Sequence, residues 1–236
     1  MRKAVIAWSS GKDSAWALHE VRRSGEFEIV GAVTTVTENF ARVSMHGVRE
    51  ELLLAQLAAT RLPPRIVRIP FPCPNEVYEA RMAADMEKAT AEGVTHVIFG
   101  DLFLEDIRAY REAQLAKVGM TAVFPLWQRP TATLAREMIA SGVKARLVCV
   151  DGSKLSPTFA GRSFDQSLLS DLPPDVDPCG ENGEFHTFAS AGPMFEQEIP
   201  LRVGNTVERD GFTYVDLLPL VPAEAGTQTG FPLARE

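Results

Sequence analysis

The chain has 236 residues, 45% hydrophobic and 23% charged, enough apolar material to bury a sizeable core in one large or two small domains. A net charge of −7 argues against a surface that binds nucleic acid broadly, and no apolar run reaches membrane-spanning length. The cysteines, Cys73, Cys149 and Cys179, form no CxxC pair, which excludes a zinc knuckle or a disulfide framework as the organising device. Met1-Arg2-Lys3 runs directly into an apolar strand without a signal-peptide pattern, so the expected setting is the cytoplasm, with reduced thiols.

Lys3 to Trp8 is a short apolar run. Ser9-Ser10-Gly11-Lys12-Asp13-Ser14 follows, and then Ala15, Trp16, Leu18 and Val21 recur at helical spacing. A buried strand, a small polar loop and a helix N-terminus form the first half-unit of a nucleotide-binding α/β fold. Unpaired amides and the positive end of the helix dipole meet at such a loop and favour an anion. Gly11 can take backbone dihedrals closed to other residues. The hydroxyls of Ser9, Ser10 and Ser14 can donate to phosphate oxygens, Lys12 can add a point charge, and Asp13 suits a helix N-cap or a magnesium ligand. The alternative is an ordinary strand–turn–helix with a serine-rich cap. The loop matches neither the Walker A spacing nor GxGxxG.

Further along, Glu28 to Val36 reads as a second strand and Thr37 to Ser44 as a loop. Val48 to Leu57 has helical spacing that Pro63-Pro64 stops, and Arg65 to Pro70 is a third strand. Asn75 to Ala91 is a helix with Val77, Met82 and Met86 inward. Thr95 to Phe99 is a fourth strand ending in Gly100-Asp101, and Ile107 to Val118 is a helix ended by Gly119. This alternation predicts a doubly wound parallel α/β sheet whose ligand sits beyond the carboxyl ends of the strands. After Trp127 the pattern changes. Thr133 to Ser141 is a helix, Lys144 to Val150 a strand, and Phe164 to Leu172 a short helix; two strands near Ile199 to Val203 and Phe212 to Leu218 flank an Asp210-Gly211 turn. The expected division is residues 1–128, residues 129–220 as a smaller α+β domain, and a Pro-, Ala- and Gly-rich tail over 221–236 read as disordered.

Asp177 to Thr187 is the second informative stretch. It packs Glu181, Glu184 and His186 into a glycine-punctuated loop with Cys179. Carboxylates and an imidazole there can bind a metal, move a proton or hold an amine; a hydrogen-bonded turn network is the alternative. His46 can touch phosphate or simply bond a backbone group. Arg108 and Arg111 can neutralise pyrophosphate or pair with Glu105 and Glu112.

The Ser9 to Ser14 loop resembles the SGGxDS signature of the PP-loop ATP pyrophosphatases, with Ser10 in place of one of its two glycines. Together with Gly100-Asp101, Pro125-Leu126-Trp127, Asp177 to Glu181, Gly183 to Thr187 and Gly192 to Phe195, the chain resembles the diphthine–ammonia ligase family. These pieces span roughly residues 3 to 200, and those after Asp177 are the more specific. The resemblance implies a HUP-like PP-loop fold and an ATP-dependent ligase that adenylates an acceptor carboxylate, after which ammonia or an amine displaces AMP. Carried over, it implies ATP contacts at Ser9, Ser10, Gly11, Lys12, Asp13, Ser14, Thr34, Gly100 and Asp101. Magnesium falls to Asp13, and catalytic or acceptor roles fall to Asp13, Glu181, Glu184 and His186.

Tyr110-Arg111-Glu112 departs from the archaeal and eukaryotic pattern, and Phe71 to Tyr78 is more similar to the bacterial branch. The ATP chemistry therefore transfers more firmly than diphthine as acceptor. The implied partners are ATP, Mg2+, an unidentified carboxylate and ammonia or an amine, without nucleic acid or membrane; a homo-oligomer stays open. Two alternatives stand beside this: a tRNA-modifying PP-loop enzyme, and a nucleotide-binding regulator without turnover. The first lacks its usual basic extension or cysteine pairs here, and the acidic loop speaks against the second.

Overall fold

The computed structural model describes residues 1–220, so the expectation for the 221–236 tail lies outside the described residues. The first half alternates strands and helices: β1 (Arg2–Ala7), α1 (Lys12–Ser24), β2 (Phe27–Thr37), β3 (Arg42–Val43), α2 (Glu50–Thr60), β4 (Pro64–Ile69), α3 (Asn75–Ala91), β5 (His96–Ile98), α4 (Glu105–Ala116) and β6 (Thr121–Val123). The strands β4, β2, β1, β5 and β6 lie side by side in that order, all parallel. This is the doubly wound arrangement expected from the alternation. The strand order reverses between β1 and β5, so the ligand crevice should open at their carboxyl ends.

Parallel strands are buried on both faces. Ala4 and Ile6 face one core, which continues through Leu52 and Leu57 into Leu134, Leu147 and Phe188 of the second half. Val5, Val33, Val67 and Val97 face a separate cluster under α3 and α4. Two short strands escaped the sequence reading. β3 lies inside the expected 37–44 loop, antiparallel to the end of β2 with Val43 opposite Val36. β6 is three residues long and carries no periodicity of its own.

The second half contains α5 (Thr131–Ala140), β7 (Lys144–Asp151), a 3-10 turn (Pro157–Phe159), α6 (Gln166–Asp171), β8 (Phe185–Ala191), β9 (Leu201–Arg209) and β10 (Phe212–Pro219). They form an antiparallel sheet of order β8-β7-β10-β9. Asp210 and Gly211 both have positive φ, 51° and 82°, which is the two-residue hairpin turn that Asp-Gly predicts. Strand β8 was read as loop, because Phe185 to Thr187 closes a polar, glycine-rich segment. Among the described residues no helix is long and apolar enough to cross a membrane.

The two halves are clasped at Asp216 of β10. Its Oδ1 accepts from Arg42 Nη1 at 2.9 Å and Arg49 Nε at 3.0 Å, and its Oδ2 accepts from Arg49 Nη2 at 2.7 Å. Burial pushes this carboxyl up, but the two guanidiniums outweigh burial and hold it below the usual aspartate value. The clasp therefore contributes fully above the unfolded carboxylate pKa of about 4 and is lost as pH falls through the lower folded value. Asp216→Asn is expected to lower stability by about 1 kcal/mol at neutral pH, because the pair is partly exposed. The difference from wild type should shrink in denaturation curves as pH falls below that unfolded value and vanish at a pH where the folded carboxyl is protonated too. A gap that persists unchanged at that pH would assign the effect to packing.

Candidate active site

The loop after β1 is built by both halves of the chain. The Ser10 backbone carbonyl accepts from Ala189 N of β8 at 2.9 Å and from Gln56 Nε2 at 3.0 Å. Lys12 N donates to Thr187 Oγ1 at 3.1 Å. Strand β8 thus lies against the loop and fixes its path. The unusual backbone falls on Ser10, at φ 70°, and not on Gly11, at φ −82°. The residue standing in place of the first of the signature's two glycines takes the left-handed conformation and its strain. Gly11 is needed for room: a Cβ there would lie 3.2 Å from Ser9 Oγ, 3.3 Å from His46 Cε1 and 3.4 Å from the Thr187 carbonyl.

Gly11 is the N-cap of α1 and supplies no side-chain cap, and of the first-turn amides Lys12 N is taken by Thr187 Oγ1. The rest of that turn keeps the amide and dipole character that suits an anion. Ser9 Oγ lies 3.1 Å from Ser14 Oγ, and Ser14 Oγ donates to the Gly11 carbonyl at 3.0 Å. Asp13 sits in the first turn but does not cap. Its Oδ2 accepts from Lys12 Nζ at 2.9 Å, while its Oδ1 is buried without a partner.

Lys12 is 1% exposed. Its ammonium also donates to the Cys179 carbonyl and lies 5.2 Å and 5.4 Å from the ring centroids of Phe164 and Phe185. Burial pulls its pKa down, but Asp13 and Asp177 more than offset this, so it stays charged. The point charge expected to meet phosphate lines the cavity and is bonded to Asp13 and to the Asp177–Thr187 segment.

Gly100, at the end of β5, rests on the same helix turn: a Cβ there would be 2.8 Å from Asp13 C and Ser14 N. Asp101 beside it pairs with Arg111 at 3.1 Å. Of the two readings of Arg111, the structure gives an ion pair, with Asp101 and not with its helix neighbours. Thr34 is buried and donates to the Trp8 carbonyl at 2.8 Å, tying the ends of β1 and β2 together.

These groups border one cavity of about 900 Å³. Ser9, Lys12, Asp13, Ser14 and Thr34 line it from the first sheet, with Gly100 and Asp101 across the switch point. Glu181 and His186 line it from the second half. Ser10, Gly11 and Glu184 lie behind its wall. Glu184 is turned into its own loop, where Oε1 accepts from Asp177 N at 3.0 Å and Asn182 Nδ2 at 3.1 Å. It braces the segment that presents its neighbours.

Glu181 Oε1 accepts from Leu102 N at 2.7 Å, which docks the loop onto the strand end carrying Asp101. Burial pushes this carboxyl up to about 7, reinforced by Asp13 and Asp101 and opposed by the Leu102 amide. His186 stacks on His46 with centroids 4.5 Å apart and planes at 29°. Burial, and for His46 the facing His186 ring, push the two down to about 4 and about 3, so both are neutral at pH 7. His46 makes the backbone bond weighed for it, 3.3 Å from Nδ1 to the Thr187 carbonyl, and also lines the cavity. The Cys179 thiol is buried and pushed far up by burial, which removes it as a nucleophile.

The sequence carries no assigned role for Gln56, and Thr187 stands there only as the end of the Gly183 to Thr187 piece. Gln56 is fully buried and joins Trp8 Nε1, the Ser10 carbonyl and the Ala189 carbonyl. A lone amide inside the apolar run Leu52 to Ala58 was the available signal. For Thr187 the motif marks the position but not the contact, because its partner Lys12 N lies 175 positions away.

The family model for the diphthamide synthase N-terminal domain matches residues 1–122, and that for the diphthamide synthase C-terminal domain matches residues 130–216. Diphthine–ammonia ligase of Homo sapiens is 31% identical over 118 residues, covering 48% of this chain and 43% of the relative. The Mus musculus protein of that name is 31% identical over 141 residues, covering 57% and 52%. That of Danio rerio is 32% identical over 132 residues, covering 53% and 52%. The chain spans about half the length of these curated relatives. Both domain models match in order and carry the loops that meet across the cavity, so the chain belongs to the diphthamide synthase, or diphthine–ammonia ligase, family.

Proposed function

We propose that the protein is an ATP-dependent ligase that activates a carboxylate as an acyl adenylate and transfers the acyl group to ammonia or an amine. The observation that carries this is the convergence of the Ser9–Ser14 loop and the α1 N-terminus with Glu181 and His186 on one cavity. The names of the relatives support the same chemistry. In the proposed reaction a carboxylate oxygen attacks the α-phosphorus and the bond to pyrophosphate breaks. The amine nitrogen then attacks the acyl carbon, AMP leaves with the electrons of the C–O bond, and a proton passes from nitrogen to a base.

Residues 1–128 would hold the nucleotide, with α1 amides and the Ser9 and Ser14 hydroxyls on phosphate and Thr34 and Gly100 beside adenine. Residues 129–220 would close over it and supply the acceptor side. Glu181, titrating near 7, is suited to take the proton. The neutral imidazoles of His186 and His46 can accept a hydrogen bond from the incoming amine. Catalysis is then mostly positioning and charge neutralisation.

Among the described residues no group of three or more His, Cys, Asp or Glu side chains forms a metal site. The unpartnered Asp13 Oδ1 fits a magnesium ion that takes its other ligands from phosphate and water. Such an ion would add positive charge at the phosphates.

Incubation with ATP, ammonium and a panel of carboxylic acids should release AMP and pyrophosphate only when an acid is present. Glu181→Gln is expected to slow product formation by about 10²-fold or more while leaving ATP affinity nearly unchanged. AMP release that ignores the acid, or full turnover in Glu181→Gln, would overturn the assignment.

A further inference from the structure

The cavity extends well beyond its phosphate end. Past Asp101 it continues as a limb along the second face of the first sheet, between α3 and α4. Val33, Val97 and Phe99 form its floor, Met82 and Met86 one wall, and Leu115 part of the other. The floor residues are themselves little exposed, at 5%, 3% and 7%, but the two helices pack loosely over them. Of the 17 residues of α3 only Met86 and Ala89 are fully buried, and of the 12 of α4 only Leu115. Tyr110 Oη donates to Glu79 Oε1 at 3.1 Å, linking α4 to α3 across the limb. Where the limb joins the phosphate end stands Arg111, paired with Asp101 and 4.4 Å over the Phe99 ring.

Triphosphate and ribose need polar walls, and the phosphate-loop groups of this cavity gather at the strand ends; the limb has an apolar floor, and its polar groups, Glu79, Tyr110, Gln114 and Lys117, come from α3, α4 and the residue after α4. A volume of about 900 Å³ is at the upper end of ligand sites, which run to about 1,000 Å³. The apolar limb is therefore surplus to the nucleotide but continuous with it. We propose that it binds the apolar body of the acceptor, which is a small carboxylic acid carried on an alkyl chain or ring system. The carboxylate lies beside Arg111 and the phosphate loop, and the tail lies between α3 and α4. This rests on reading the phosphate end as the ATP site. Arg111 turns Nε and Nη2 toward Asp101, and a guanidinium has five donors in all, so it can serve both carboxylates.

The test is calorimetric titration of butyrate, octanoate and decanoate into protein loaded with α,β-methylene-ATP, which blocks turnover. Affinity should rise by about fourfold per added methylene until the limb is full. Ala83 is exposed on α3 and lines the limb, so Ala83→Trp should fill it without disturbing the fold. The variant should lose the chain-length dependence while its affinity for the ATP analogue stays within about twofold. Gln114→Trp, from the opposite wall, should do the same, so one poorly folded variant does not decide the matter. Equal affinity for all the acids overturns the proposal. Loss of analogue binding in both variants also overturns it, because the limb would then hold the base. Repeating the acid titration without nucleotide tests the limb alone; failure of the ATP reading shows separately, as absent analogue binding to the wild type.

Discussion

Lys12→Ala is expected to destabilise the protein by about 3–5 kcal/mol, the size of effect seen when one partner of a buried ion pair is removed. The Lys12 ammonium is 1% exposed and lies among Asp13 Oδ2, the Cys179 carbonyl and two aromatic rings. Without it the half-buried Asp13 carboxylate, whose Oδ1 already has no partner, loses its counter-charge. Urea denaturation should show the loss directly. In a double-mutant cycle with Asp13→Ala, the double variant should be more stable than the sum of the singles predicts, because no stranded charge remains. A Lys12→Ala protein with unchanged stability and weakened ATP binding would return the side chain to the phosphate role expected from the motif.

The second large effect is expected at Gly100. A methyl group there meets Asp13 C and Ser14 N at 2.8 Å and the Asp13 carbonyl oxygen at 2.9 Å. All three are backbone atoms in the first turn of α1, so no side chain can swing aside. The end of β5 and the start of α1 must separate, at a cost of about 1–3 kcal/mol. The separation opens the junction where β1 and β5 diverge and shifts the α1 amides, with Ser14, away from Ser9. Gly100→Ala should therefore lower ATP affinity by about tenfold or more in titration calorimetry, even where the protein stays folded. Wild-type affinity in the variant would separate this contact from the nucleotide site.

Much of the first half was legible from local signals. Asn75 to Ala91 was read with the bounds of α3, because Pro74 precedes it and Gly93 follows it. Beta-rich runs split by helical periodicity pointed to a parallel sheet, and the polar loop at the end of the first run pointed to the anion site. Legibility failed where identity depends on partners distant in sequence. Strand β8 read as loop because only its pairing with β7, Cys149 opposite His186 and Leu147 opposite Thr187, makes it a strand. Glu181 and Glu184 are three residues apart in one acidic loop, yet one lines the cavity and the other bonds inward. Composition cannot tell which way a carboxylate points.

The sequence by itself determined the fold class, the strand–loop–helix that offers a phosphate site, and the second loop that carries Glu181 and His186. Each of these is written in periodicity, turn residues or a short motif, which act within a few residues of one another. Only the tertiary structure decided that β8 lies against Ser10 and that Lys12 is spent on the opposite loop. It alone stacked His46 on His186 and left an apolar limb open between α3 and α4. Those outcomes depend on burial and on contacts between segments up to 175 positions apart. Desolvation then sets the charge of each group, raising Glu181 and keeping both imidazoles neutral.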